Sequence, residues 1–271
     1  MAFLFGVLLG IALGYVIITL IARSRQNRYM AVAEYWVYLP EERLPKQDDI
    51  MSLVLQGNSP VGHAEGLLFS DIRLHIALIL RSKNPHVFRP DLFADYIEPT
   101  PEILAALAES KAVAKVRYLS EVRLKSDAHL QLLPYLAYAY CKLANGKAIF
   151  DVTAEKLLSV PDLFALLKQD KNAKRPEVHL HTIWTQQEEG GRVETRGLVK
   201  KGLPELVTAS IESDERMLVT NLIDEAAKKL WTEESMPEQI EVESYDDRFQ
   251  ILLGKPEKGR STVRIMRVQA V

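Results

Sequence analysis

The residues most able to do chemistry in this 271-residue chain gather between Glu177 and Glu205. His179 and His181 stand two apart in a strand-like stretch, Val178–Gln187, a spacing that turns both imidazoles to one face and can offer two nitrogens to a metal. Further along, Gly197 and Gly202 bracket Leu-Val-Lys-Lys, and Pro204 and Glu205 follow. Glycine permits positive φ, so Lys200 and Lys201 with their neighbouring amides can shape a concavity for an anion, with Arg196 and Glu205 beside it. A lysine-bearing turn between two strands is the plainer reading of the same residues.

Around these candidates the chain is sparse in familiar reactive patterns. Spacing dictates no third metal ligand, although Glu177 and Glu194 are near in sequence, and His63, His75, His86 and His129 are scattered. There is no G-x-S-x-G elbow, no phosphate-binding G-x-x-x-x-G-K-[ST] loop and no G-x-G-x-x-G fingerprint, so neither a hydrolase serine nor a cofactor is signalled. Cys141, the one cysteine, lies in an apolar helical stretch where a thiol is an inert small hydrophobe, and it excludes an internal disulfide or a thiolate zinc cluster. The acidic pairs Glu188/Glu189, Glu241/Glu243 and Asp246/Asp247 read as turn or exposed-strand residues. A second basic turn spans Lys255 to Arg260.

The run Thr195, Gly197, Leu198, Gly202, Pro204, Glu205, Leu206, with the strand HLHTIW before it and a helix after, resembles a segment of uncharacterised bacterial domains. That resemblance covers about a tenth of the chain and implies an α+β domain of unknown function, without a reaction. Glu194 and Arg196 depart from the histidine-bearing surroundings of the pattern.

The elements that must position these residues follow from periodicity and capping. Strands are predicted over Glu34–Leu39, over Ile72–Leu80, with Ile72, Leu74, Ile76, Leu78 and Leu80 on one face, over Val113–Leu119 and over Lys147–Val152. Helices are predicted from Pro45 to Leu55, from Thr100-Pro101 to about Lys111, from Asp127 to Asn145-Gly146, and from Ser159-Val160-Pro161-Asp162 to about Gln169. The helix after Asp127 is apolar all round and belongs in a core; Pro134 should kink it or mark a late start. The polar run Lys168–Arg175 is the best exposed connection, a sub-boundary near 168–176. Beyond it come a hairpin through Glu188-Glu189-Gly190-Gly191, with Arg192–Val199 as its second strand, a helix from Ser213 to Trp231, and strands over Ile240–Tyr245, Phe249–Leu253 and Thr262–Ala270. Helices mixed with hairpins favour an α+β class, a mixed or antiparallel sheet with packed helices, over a doubly wound fold.

Ala2–Ala22 carries no charge and no proline, and as a helix would reach roughly 30 Å, the thickness of a bilayer core. The segment therefore reads as an uncleaved transmembrane anchor (1–22), followed by a basic juxtamembrane stretch (23–30) and a cytoplasmic domain (31–271). Arg23, Arg25 and Arg28 suit lipid headgroups and set the N-terminus outside an inner or plasma membrane. Gly6, Gly10 and Gly14 share one helix face, which suits a partner helix or homo-oligomer. The net charge of −2, from 34 basic and 36 acidic residues, gives no reason to expect nucleic acid. The composition, 48% apolar, excludes global disorder. The sequence thus leads to a single-pass, membrane-anchored domain that binds a protein partner. The alternatives are a membrane-tethered, hydrolase-like enzyme with a pocket near His179, His181 and the Gly197–Glu205 loop, and a lipid-surface module using the basic turns.

Overall fold

The computed structural model describes residues 31–56, 59–93, 100–122, 124–169, 171–233, 235–244 and 247–268. Two sheets organise them. The first is antiparallel and built from β1 (Ala31–Leu39), β2 (Leu74–Leu80), β3 (Ala112–Ser120), β4 (Ala148–Asp151) and β5 (Lys156–Ser159), in the order β2-β3-β1-β4-β5. β1 is central because it is apolar on both sides. Ala33, Tyr35, Val37 and Leu39 enter one core, while Trp36 and Tyr38 face another.

Helices cover both faces of this sheet. On the first lie α1 (Gln47–Val54), the short α2 (His63–Gly66) and the long α4 (Ala128–Ala144), whose Leu132, Leu133, Leu136, Ala137 and Tyr140 pack under β1. On the second lie α3 (Pro101–Glu109) and two 3-10 turns, bringing Val87, Phe88, Phe93 and Leu107 against Tyr38 and Phe150. The caps are local. Thr100 accepts the Ile103 amide, with Pro101 at the first helical position. Ser159 and Asp162 form a reciprocal capping box opening α5 (Val160–Lys168). α4 runs unbroken through Pro134 and ends where Asn145 turns left-handed.

The polar segment after α5 leads through a single turn, α6 (Pro176–His179), into the second sheet. Its strands are β6 (His181–Gln186), β7 (Gly191–Arg196), β8 (Glu205–Thr208), β9 (Gln239–Ser244), β10 (Asp247–Leu253) and β11 (Arg260–Val268), in the order β6-β7-β8-β11-β10-β9. All described pairings are antiparallel except β8 with β11. One long helix, α7 (Arg216–Thr232), lies across one face and supplies Val219, Leu222, Ile223, Ala226 and Leu230 to the second core.

The expected single-span membrane architecture is corrected here. Among the described residues no helix is long and apolar enough to cross a membrane. The longest two, α4 and α7, have 17 residues each, about 26 Å at 1.5 Å per residue, and their apolar faces are spent on the two cores. The predicted anchor, with Gly6, Gly10, Gly14 and the headgroup residues Arg23, Arg25 and Arg28, lies outside the described residues. The integral-membrane partner, the Gly6/Gly10/Gly14 oligomer face and the inner- or plasma-membrane location have no support in the fold and are set aside. The α+β class stands, with two sheets where one was expected.

Candidate functional site

The Gly197–Glu205 loop is where the two halves of the molecule meet. Gly197 (φ 108°) and Gly202 (φ 78°) adopt left-handed conformations at either end of a 3-10 turn, Leu198–Lys201. Gly197 also leaves no room for a side chain, because an added Cβ would stand 2.0 Å from the carbonyl oxygen of His179. The loop's amides do point inward to hold an anion, but the anion is the chain's own Glu205. Its Oε1 accepts the amides of Gly197 (2.9 Å) and Val199 (3.2 Å), and its Oε2 accepts the Thr195 hydroxyl (2.8 Å). Thr195 in turn accepts the Leu206 amide at 2.8 Å. Burial raises the Glu205 carboxyl, and these donors partly oppose that rise. Thr195, Gly197, Gly202 and Glu205 of the motif thus clamp a loop.

What the clamp presents is Lys200. Its side chain is 0% exposed and its ammonium forms an ion pair with Asp151 at the end of β4. Nζ also lies 3.3 Å from the Tyr35 hydroxyl, 3.3 Å from the His179 carbonyl and 3.5 Å from His179 Nδ1. Burial pulls the Lys200 ammonium down, while Asp151 pushes it back up. His179 is also fully buried. Its Nε2 lies 2.6 Å from the Ala173 carbonyl and 3.1 Å from that of Leu130, so this nitrogen carries the hydrogen. Nδ1 is left as the acceptor facing Lys200 and the Tyr35 hydroxyl (3.4 Å), and the ring stacks on Trp231 at 5.3 Å. Burial, then the Lys200 charge, hold His179 well below its ordinary range. Tyr35 is raised by burial and by Asp151. His129, stacked on Tyr118, donates Nε2–H to the Lys200 carbonyl at 2.8 Å, and among the described residues its Nδ1 has no hydrogen-bond partner. Desolvation lowers His129 to about 4.

The other predicted site residues lie elsewhere or face other ways. His181 bonds through Nδ1 to the Ala154 carbonyl (3.1 Å), so His179, at the end of α6, and His181, at the start of β6, engage separate partners. Among the described residues no group of three or more His, Cys, Asp or Glu side chains could hold a metal. Lys201 bonds to the Trp231 carbonyl and lies over that ring. Arg196 bridges Glu155 (3.0 Å) and the buried Glu194 (2.7 Å), which Arg192 also pairs. Cys141 is buried and its thiol pushed up to about 12, far from a nucleophile.

No local sequence pattern connects Tyr35, Asp151, His129 or Trp231 to this cluster. Asp151 carried a usable signal, because a carboxylate ending the strand Ala-Ile-Phe-Asp has to find a cation once that strand is buried.

A second feature is an open groove of about 980 Å³ between the first half of α7 and the second sheet. Leu218, Val219 and Leu222 form one wall, and Phe249, Leu253, Val263 and Ile265 line the sheet side. Glu215, Asp247, Arg264 and Arg267 stand among its lining residues. Comparison with protein-family models, curated proteins and solved structures returns no match.

Proposed function

We propose that this chain is a protein-binding domain that takes an amphipathic segment of a partner protein into the groove between α7 and the second sheet. The observation that carries this reading is the groove itself, an open and mainly apolar trough bordered by both acidic and basic side chains. Binding clefts for small molecules enclose most of their ligand, whereas a trough this open suits a segment with one apolar face. Asp247 and Arg267 are ion-paired with each other (2.5 Å), which leaves Glu215 and Arg264 among the lining residues to meet charges on a partner segment. The reading gains weight from the burial of Lys200, Asp151, His179 and Tyr35, each at most 1% exposed, which leaves their polar groups turned to one another rather than to solvent.

The test is site-specific photocrosslinking of the full-length chain in cells. A photoreactive residue at position 217, exposed on α7 beside the groove, should capture one defined polypeptide, and one at 143, exposed on α4, should not. Leu218→Glu should abolish that capture while leaving the thermal midpoint within a few degrees. Equal capture at both positions, or capture indifferent to Leu218→Glu, would overturn the proposal.

A further inference from the structure

The edge strand β2 has the composition and hydrogen-bond parity of a strand made to pair with itself. It reads Leu-His-Ile-Ala-Leu-Ile-Leu, with no charge, proline or glycine over its seven residues, and it lies at the margin of the first sheet. Natural edge strands are usually guarded by lysine, proline or a bulge, none of which is present here. Exposed apolar side chains gather at the same place: Ile76 is 37% exposed, Ile72 just before the strand 88%, and Val122 just after β3 61%.

The backbone shows which groups are available. The β2–β3 ladder continues at both ends in bonds from the Arg81 amide to the Lys111 carbonyl (2.8 Å) and from the Leu119 amide to the Arg73 carbonyl (3.0 Å). Odd-numbered residues of β2 therefore bond to β3, and even-numbered ones turn their amides and carbonyls outward. Of the outward groups, the Leu74 amide is taken by the Asp71 carbonyl, and the Leu80 carbonyl by the amides of Lys83 and Asn84. Among the described residues, the Leu74 carbonyl, both groups of Ile76 and of Leu78, and the Leu80 amide have no hydrogen-bond partner.

We infer that β2 pairs antiparallel with β2 of a second copy about a two-fold axis through Ala77, joining the two first sheets into one. In that register Ile76 faces Leu78 of the other copy and exchanges both bonds with it. The Leu80 amide meets the Leu74 carbonyl, so each unpartnered outward group gains a partner and the two already engaged are left alone. Displacing the axis by one residue in either direction strands some of these groups. The same register keeps Leu74, Ile76, Leu78 and Leu80 on one face in both copies, extending the partly buried leucine row that flanks the first core. The two arginines that flank the strand, which this register sets across from each other, are each held within their own copy, Arg73 by Asp71 (2.6 Å) and Arg81 by the carbonyls of Leu107 and Ala108 at the end of α3.

Register makes the test specific. In the full-length protein, Ala77→Cys places two thiols directly across the axis, at a spacing a disulfide accepts, whereas His75→Cys leaves its thiols roughly 14 Å apart. Mild oxidation should therefore link Ala77→Cys chains into dimers and leave His75→Cys chains unlinked. Ile76→Pro removes an outward amide without touching the β3 ladder, so sedimentation equilibrium should show dimerisation weakened at least ~10-fold with the circular dichroism of the monomer retained. A chain that stays monomeric at 100 μM, equal linking at both positions, or a dimer indifferent to Ile76→Pro would overturn the inference. So would protection of the Ile76 and Leu78 amides from hydrogen exchange in a monomer, which would make a segment of the same chain the occupant.

Discussion

Lys200 is the most consequential single residue, because its charge is fully buried and its counter-charge is 49 residues away. A buried pair is costly to assemble but far costlier to break, since the survivor keeps its charge and loses its partner. Lys200→Met should therefore destabilise the protein by about 3–5 kcal/mol in urea denaturation. Lys200→Met combined with Asp151→Leu should recover most of that loss. Equal losses in the single and double variants would mean the charge pair is not what matters there. The histidines beside it set a pH response. His129 is held at about 4 by burial, against roughly 6.5 in an unfolded chain, so as pH falls the unfolded state takes the proton first. The stability contributed by the neutral ring is complete above about pH 6.5 and is lost between there and about 4, at most about 3 kcal/mol. His179 works in the same direction, and the raised Glu205 works against it. His129→Gln retains a donor for the Lys200 carbonyl but cannot titrate. Denaturation at pH 7.5 and 4.5 should show a smaller loss for that variant than for the unsubstituted protein, and identical losses would remove His129 as the cause.

At the scale of elements, the loop between β7 and β8 shows how two glycines in similar conformations carry different constraints. Gly197 has φ 108° and a backbone oxygen where a Cβ would go; Gly202 has φ 78° and open space around it. Gly197→Ala should cost about 3 kcal/mol or more, and Gly202→Ala only about 1 kcal/mol, both readable from thermal midpoints. Long elements were legible in the sequence because their signals repeat: the alternation in β2 and β3, the Thr100-Pro101 and Ser159-Pro161-Asp162 openings, and the Asn145 stop. The four-residue strands β5 and β8 were not, since two side chains per face make no period; β4, equally short, is legible only from its apolar run after the Asn145-Gly146 stop. Val178 and Leu180 alternate with histidines, which reads as strand from Val178 onward, yet Val178 and His179 close the turn Pro176–His179; Pro176 at a first helical position is the signal against strand there. Lys200 stood out as unusual between its glycines. That it points inward depends on Asp151 and Tyr35, which no local pattern connects to it.

At the scale of the whole molecule, the first sheet is flanked by two cores and the second packs on one of its own, and the loop from the second sheet fastens the two halves by inserting one cation into the first. This division separates the proposed roles. The partner groove belongs to the second sheet and its helix, the self-pairing edge to the first, and neither competes for the other's surface. The buried lysine also orders events during synthesis. The first sheet is complete in sequence at Ser159, yet the buried cation that pairs with Asp151 is not made until residue 200. Lys156, opposite Asp151 on β5, is the counter-charge nearer in sequence, so what a shorter chain lacks is the loop that closes over the end of β4 beside Tyr35. A polypeptide interrupted before residue 200 therefore leaves Asp151 and Tyr35 without that cover, by which incomplete chains differ from complete ones on their surface.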